Sequence, residues 1–562
     1  MPSILNAPSA DLLQAIPLSA RVILDVGCGD GGMGAAYLAM NPTARYLGIE
    51  KDPAVAEIAS EHLTEVAVVD VETTPIPFAL PNGVDCIVYT AILEQLRDPW
   101  AVLRRHAEIL APNGMMLLCL PNLEHWSFVE RLLRGTWDYA ESGLLDQAHL
   151  RWFTFETTRR ALLDLGLVPC DVRPRVFDGE HAAQFADALM PGLAALGIER
   201  DDFLRRSQPL QYIWRVRKLP REPITVGGNM LNPVGGVSHV RVIQPIQAIG
   251  TEPMVAINLS GRFETAPATD GHPRIFILHR PILFGEEGRA LLRTLMDAGW
   301  LIITEYDDNP DYFQVMQGDA ELTFLGVHAV QTSTPALAEV LRRRNPEIAV
   351  FPNAVATLPP VRNFADPDVL TLFFGALNRE QDWHELVPII NDIAARVGPR
   401  LRFQVLHDEG FFHALTSPHK TFTPLCDYET YLRLLGEAEI SFMPLSDNGF
   451  NRAKSDLKFI EAASCRVASL SSTVVYGDSI DDGRTGLLFR DPVEFRAQLT
   501  RLVEEPGLAR ALGDAARAYV SAERMLAYQV APRLAWYRSL WLRREALTVA
   551  LRDRVIDRLS RD

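Results

Sequence analysis

Six cysteines in 562 residues, at positions 28, 86, 119, 170, 426 and 465, form no C-x-x-C pair and no cluster with histidine at metal-ligand spacing. Neither a disulfide framework nor a metal site is indicated, and a reducing compartment is expected. No run reaches the roughly 18 uninterrupted apolar residues of a membrane span. Nor does a basic stretch followed by an apolar one stand near residue 1, so a cytoplasmic location is expected. Positive charge is scarce as well: 55 Lys and Arg face 71 Asp and Glu, a net of −16. That balance disfavours nucleic acid as a partner while leaving room for small basic pockets. Short-period repeats and low-complexity tracts are missing too.

What is present is a globular composition, 48% apolar and 22% charged, of a kind that builds large cores. At roughly 150 residues per domain the length suggests three or four units. Apolar, β-branched runs such as RVILDVGCG, RYLGIEKD, CIVYTAIL and MMLLCLPN alternate with helical patterns. Strands buried on both faces read this way, and their alternation with helices implies parallel sheets of βαβ units. A charged segment with two prolines, residues 215–225, separates this block from a second one. A Pro- and Ala-rich stretch at 355–367 divides the remainder. The expected domains are therefore 1–220, 221–360 and 361–562.

The sharpest local signal is LDVGCGDGG at 24–32, which places Gly27, Gly29 and Gly32 in a G-x-G-x-x-G spacing directly after a strand. Glycines there permit a tight turn and a close backbone approach to a ligand. Glu50 ends the next strand, 23 residues beyond Gly27, where a carboxylate accepts hydrogen bonds from a ribose diol. Asp70 ends VAVVD at the position expected beside an adenine. These positions serve NAD and S-adenosylmethionine equally well.

The motif, together with VDCIVYTAILEQLRDPWAVLRRHAEILAPNGMMLLCLPN and LLDQAHLRWFT, resembles the class I S-adenosylmethionine-dependent methyltransferases of polysaccharide biosynthesis, over about residues 20–215. The resemblance implies that Asp25, Gly27 and Gly29 surround the methionine portion. It gives Glu50 the ribose hydroxyls and sets Asp70 and Val71 at the adenine. Relatives often carry Leu-Glu-His where this chain has Leu93-Glu94-Gln95. His149 is the remaining candidate base, a structural role standing beside the catalytic one.

In the second half, AVQTSTPALAEVLRRRNPEIAVFPNAV and the stretch 451–489 resemble the GT-B, family-4-like retaining glycosyltransferases, over about residues 225–530. The implied fold is α/β throughout, a Rossmann-like methyltransferase domain followed by a GT-B pair of Rossmann-like domains. On a helix beginning near Ser455, Lys458 and Glu461 share a face three residues apart, with Lys454 just before it. Spacing alone allows an ordinary surface ion pair. The flanking sequence assigns Glu461 to the ribose of a nucleotide-sugar and Lys458 to its diphosphate, where a fixed cation stabilises the leaving group without a metal.

Two departures stand out. Ala453 replaces an acidic residue common in the family, and the turn at 375–381 reads GALNREQ, without its usual cations. Arg379 and Lys454 are the expected substitutes. Gly236 and Arg241, in the loop 232–241, and Asn353, in the turn PNAV, are expected to face the cleft and to contact phosphate or acceptor. Asp307 and Asp308 are placed near the acceptor without a metal, and 447–450 is read as a flexible loop that contacts the sugar. The C-terminal helix from Arg533 combines Arg with Trp and Leu, which suits either an anionic membrane surface or packing across the two domains. The expectation is thus a bifunctional enzyme acting on a nucleotide-sugar and a glycan or glycolipid acceptor, in surface polysaccharide or glycoconjugate biosynthesis. The alternative is a methyltransferase fused to a noncatalytic glycan- or nucleotide-binding module.

Overall fold

The computed structural model describes residues 9–559 apart from 142, 144, 231–235, 267–270, 363–365, 367, 378 and 506. The chain divides into two compact units, Met1–Pro223 with Gly250–Val255, and Ile224–Ile249 with Ala256–Asp562.

In the first unit the apolar runs become β1 (Val22–Val26), β2 (Arg45–Glu50), β3 (Glu65–Val68), β4 (Val84–Thr90), β5 (Leu110–Pro121), β6 (Val168–Arg175) and β7 (Gln211–Arg217). They form one sheet in the order β3-β2-β1-β4-β5-β7-β6. The first five strands pair in parallel, and β7 runs antiparallel between β5 and β6. Leu24 and Val26 join Leu47, Ile87 and Met116 in a core on one face. Helices start where the sequence supplies caps: Asp52 accepts from Ala54 N ahead of Pro53–Ser60, and Thr154 forms a capping box ahead of Phe155–Asp164. The segment Gly250–Val255, which no sequence signal assigns to this unit, is tied in by Arg215. Its Nη1 donates to the Thr251 carbonyl at 2.5 Å while Nε donates to Asp171.

The second unit holds two sheets. One comprises β8 (Ile224–Asn229), β9 (Val255–Asn258), β10 (Arg274–His279), β11 (Leu301–Glu305), β12 (Ala329–Thr332) and β13 (Ile348–Val350), in the order β13-β12-β11-β10-β8-β9. The other comprises β14 (Leu370–Gly375), β15 (Leu401–Leu406), β16 (Lys420–Thr423), β17 (Ile440–Met443), β18 (Ala468–Ser472) and β19 (Leu487–Phe489), in the order β16-β15-β14-β17-β18-β19. The second of these sheets is parallel throughout. The strand order reverses between β1 and β4, between β8 and β10, and between β14 and β17. In open parallel sheets the crevice at such a reversal, outside the carboxyl ends of the strands, is where ligands bind.

The C-terminal helices Ala527–Leu542 and Arg544–Leu559 pack against the first sheet of this unit. Arg533, Leu534, Tyr537 and Leu540 are buried there, and Tyr537 donates to Gln331 Oε1 on β12 at 2.9 Å. This segment, expected either at a membrane surface or packed across the two domains, makes these contacts with the first sheet. No helix among the described residues is long and apolar enough to cross a membrane.

Candidate active sites

At the β1/β4 reversal the chain leaves β1 through Gly27, Gly29 and Gly31, all left-handed with φ of 78°, 55° and 80°. A side chain in this conformation is strained. Of the glycines in the spacing motif, Gly27 and Gly29 shape the turn. Gly32 instead opens the helix Gly32–Met40, and Gly31 supplies the third left-handed residue. Glu50, half-buried at the end of β2, grips this turn: its Oε2 accepts from Gly29 N at 3.1 Å, and Oε1 accepts from Lys51 N at 2.7 Å and Asp52 N at 3.1 Å. A carboxylate has about four lone-pair sites. As it stands, Glu50 can accept one ribose hydroxyl without losing a backbone bond.

Asp70 lies beside it, its Oδ1 accepting from Glu72 N at 2.9 Å and its Oδ2 3.8 Å from Lys51 Nζ. Val71 packs its side chain into the core, and its carbonyl accepts from Arg105. Asp25 is interior: it is 3% exposed, and Tyr46 donates to it at 3.0 Å. Burial pushes its carboxyl up to about 7. The glycine turn, Glu50 and Asp70 thus come together on one edge, and Asp25 supports them from inside the sheet. The turn amides and the half-buried acid fit the ribose and methionine ends of S-adenosylmethionine.

Beyond β4, the turn Leu93–Gln95 carries a group the sequence reading passed over. Glu94 is 2% exposed, and burial pushes its carboxyl up to about 7, with the charge of Asp146 adding to the effect. Its carbonyl accepts from Leu150 N and Arg151 N at 2.7 and 2.9 Å, which brings His149 Nε2 to 3.9 Å from Glu94 Oε1. Glu94 Oε2 is buried without a hydrogen-bond partner among the described residues. Ile92 packs under Gly27, so this acid borders the glycine turn. The available signal is an acid four positions past a strand end, after the apolar run Ile92-Leu93.

The second unit has a cleft of about 300 Å³ between the carboxyl ends of its two sheets. Arg280, Asp307 and Asp308 reach it from one side, and Arg379, Lys454 and Lys458 from the other. The helix that carries Lys458 and Glu461 is Leu457–Ser464, beginning two residues later than expected. Lys458 donates to the Gly375 carbonyl and pairs with no carboxylate among the described residues. Burial, with the charge of Arg379 next in weight, lowers its ammonium to about 8. The substitute cations are engaged: Arg379 Nη1 donates to Asp382 and to Asn451, each at 3.1 Å, and Lys454 pairs with Asp308 at 3.1 Å. Asp307 and Asp308 are held by Arg280, with no metal-sized acidic cluster among the described residues.

The loop 232–235 lies outside the described residues. From it onward, Gly236 and Arg241 take structural partners. Arg241 is buried against Glu305 at 2.9 Å and donates to the Phe351 carbonyl and Asn353 Oδ1. Asn353 Nδ2 in turn donates to Ser455 Oγ at 2.7 Å. A phosphate contact through Arg241 would require these bonds to give way. The segment 447–450 is anchored, with Asp447 paired to Arg452 and Phe450 beneath Lys454 Nζ at 4.3 Å.

Glu461 is placed differently from what its assignment requires of an open site. It is 4% exposed; Tyr428 donates to Oε1 at 2.7 Å and Tyr431 to Oε2 at 3.1 Å. Burial pushes its carboxyl up to about 7 despite both bonds. Asp427 caps the helix Tyr428–Gly436, which puts the two tyrosines three apart on one face. Tyr428 stacks on His239 at 5.1 Å, and a Cβ on Gly236 would strike its ring at 2.6 Å. Gly236 is needed for this close approach.

Residues 24–116 match a family described as a methyltransferase domain, and residues 388–533 match one described as glycosyl transferase-like. The chain carries a methyltransferase domain and a glycosyl transferase-like domain. About a fifth of the chain is similar to the trans-aconitate 2-methyltransferases of Methylobacterium radiotolerans and Methylobacterium nodulans. The former is 34% identical over 119 residues, 20% of this chain and 44% of that one. The latter is 33% identical over 129 residues, 23% of this chain and 48% of that one. The chain thus spans less than half the length of these relatives. Among solved structures, HepE of Anabaena with UDP-glucose has a TM-score of 0.40 at 10% identity, covering 55% of this chain and 99% of its own. Sucrose-phosphate synthase of Thermosynechococcus elongatus has 0.37 at 17% identity, covering 48% and 74%.

The methyltransferase domain therefore brings its glycine turn, Glu50 and Asp70 to one sheet edge, with Glu94 and His149 beyond the neighbouring strand. In the glycosyl transferase-like unit, Lys454 and Lys458 line the cleft with Arg379, while Glu461 sits behind two tyrosines.

Proposed function

We propose that the protein is a bifunctional glycan-modifying transferase, moving a methyl group from S-adenosylmethionine to a sugar hydroxyl and a glycosyl group from a nucleotide-sugar, in the cytoplasm. Bound S-adenosylmethionine supplies an activated methyl group. The chain's part is to orient it through the glycine turn and Glu50, and to take the acceptor proton near His149 and Glu94. In the other unit Lys458 and Arg379 face the leaving diphosphate, and the expected outcome is retention. The trans-aconitate relatives suggest a carboxylate acceptor by name, but the fused sugar-handling unit favours a glycan.

The observation that carries the reading is Lys458, a cation lining a cleft and in direct ion-pair contact with no carboxylate among the described residues. Such a charge is costly unless an anion arrives. Full-length protein mixed with UDP-, GDP- or dTDP-sugars should release nucleotide from at least one, and S-adenosylhomocysteine should raise its melting temperature. Nucleotide binding without release would leave the second reading, a noncatalytic module, which the covered Glu461 and the residues Ala376, Gln381 and Ala453 favour. Absence of both effects would defeat the proposal.

A further inference from the structure

The methyltransferase unit contains a second cavity that neither candidate site uses. It measures about 560 Å³ and opens among the helices Trp126–Leu133, Gly179–Ala195 and Arg200–Ser207. Leu123, Val129, Leu189, Leu193 and Ile198 wall it, with Phe203 as its one ring. Leu133 and Leu196 also line it, though 65% and 75% exposed, so its mouth is apolar as well. Polar groups are few: Arg206 Nη1 donates to Glu124 Oε1 at 3.0 Å, and the buried Ser207 Oγ has no hydrogen-bond partner among the described residues.

Its position argues for a ligand rather than a packing fault, because the cavity adjoins the reaction edge. Leu123 and Glu124 follow β5, the strand beside β4, and Leu123 N donates to the Phe153 carbonyl at 2.8 Å, a few residues past His149. With aliphatic walls and a single ring, it offers neither the aromatic platforms nor the paired donors and acceptors that a sugar needs.

We propose that this cavity takes the hydrocarbon chain of an amphiphilic glycan acceptor, leaving the sugar end to reach Glu94 and His149. The sugar end rests on the methyl-transfer reading above; the seat for the chain does not. Arg206, Ser207 and Thr154 are the polar groups available where chain meets head.

Calorimetric titration of the full-length protein with n-dodecyl-β-maltoside below its micelle concentration, the octyl homologue and maltose tests this. One dodecyl maltoside should bind per chain, affinity should fall about fourfold per methylene removed, and maltose alone should give no binding. Gly192→Leu puts a bulky side chain on the cavity lining and should weaken binding about tenfold or more. Leu196→Asp, at an exposed residue, should weaken it without threatening the fold. Melting curves and S-adenosylhomocysteine affinity should be unchanged in both variants. The proposal is overturned if nothing binds, if several molecules bind indifferently to either variant, or if Gly192→Leu splits a dimer, which would make the cavity a seat for protein. If the chain binds as expected but S-adenosylhomocysteine does not, the methyl-transfer reading falls and the hydrocarbon site stands.

Discussion

Two acids, one in each unit, are assigned the same task, yet they are held in opposite ways. Glu50 is bonded by the backbone amides of Gly29, Lys51 and Asp52, which cannot rotate away. Glu461 is bonded by two tyrosine hydroxyls, the same kind of donor that a ribose would present. The first site is preformed; in the second, a ligand must replace a side chain that already satisfies the acid. Removing Glu50 should therefore have the largest effect. Glu50→Ala deletes a charged hydrogen-bond acceptor and the anchor of three amides, so S-adenosylhomocysteine affinity should fall about 10²- to 10³-fold. Calorimetry checks this, and an affinity close to that of the unaltered protein would break the comparison at its first term.

The cations of the second unit sharpen it further. Lys458→Met should weaken UDP binding by about 10- to 100-fold, because no carboxylate among the described residues lies in ion-pair contact with it. Lys454→Met should cost less, since Asp308 already pairs with that ammonium at 3.1 Å. Titrating both variants at low and high salt separates the two, and equal losses would show that the pairing with Asp308 does not temper Lys454.

Much of this arrangement is legible in the sequence. The continuous apolar runs report strands buried on both faces, and the glycine spacing reports a turn whose left-handed backbone excludes other residues. Glu50 follows from its place at a strand end. What escapes is whatever depends on distant segments meeting. Asp25 reads as part of the glycine motif, yet strand alternation turns it inward to Tyr46. Glu94 gains its character from residues 145–151 folding over it. Arg241 looks like a phosphate ligand until Glu305, sixty-four positions away, is seen beside it. The tyrosines over Glu461 follow an i, i+3 spacing that is visible, but nothing local says which face meets the acid.

The pH dependence of nucleotide binding probes the covered acid directly. On the proposed roles of Glu461 at the ribose and Lys458 at the diphosphate, binding needs the acid ionised and the ammonium protonated, and burial has moved the two toward each other, to about 7 and about 8. Affinity should rise with pH to about 7, hold briefly, and fall above about 8, with tenfold per pH unit on each limb. The stability signs follow. Glu461, raised from 4.5, contributes stability fully present below 4.5 and lost as pH rises through about 7. Lys458, lowered from 10.5, contributes stability present above 10.5 and lost as pH falls through about 8. Glu461→Gln should erase the acid limb alone, and an acid limb surviving that change would belong to another group.

The smallest effect is the most discriminating. Tyr428→Phe keeps the ring stacked on His239 and beside Gly236 but removes the hydroxyl from Glu461 Oε1. In the unaltered protein a ribose hydroxyl must displace that bond; in the variant there is none to displace, and the acid is left underbonded until ligand arrives. UDP should therefore bind about fivefold more tightly, the worth of roughly one hydrogen bond. Tyr431→Phe should not mimic this, because Tyr431 serves the other oxygen and packs against Phe373 and Gly375. Among the described residues Glu50 has no side-chain donor whose removal could tighten its site. A weaker UDP complex in Tyr428→Phe would mean that the tyrosine positions the acid rather than covers it, making both sites preformed.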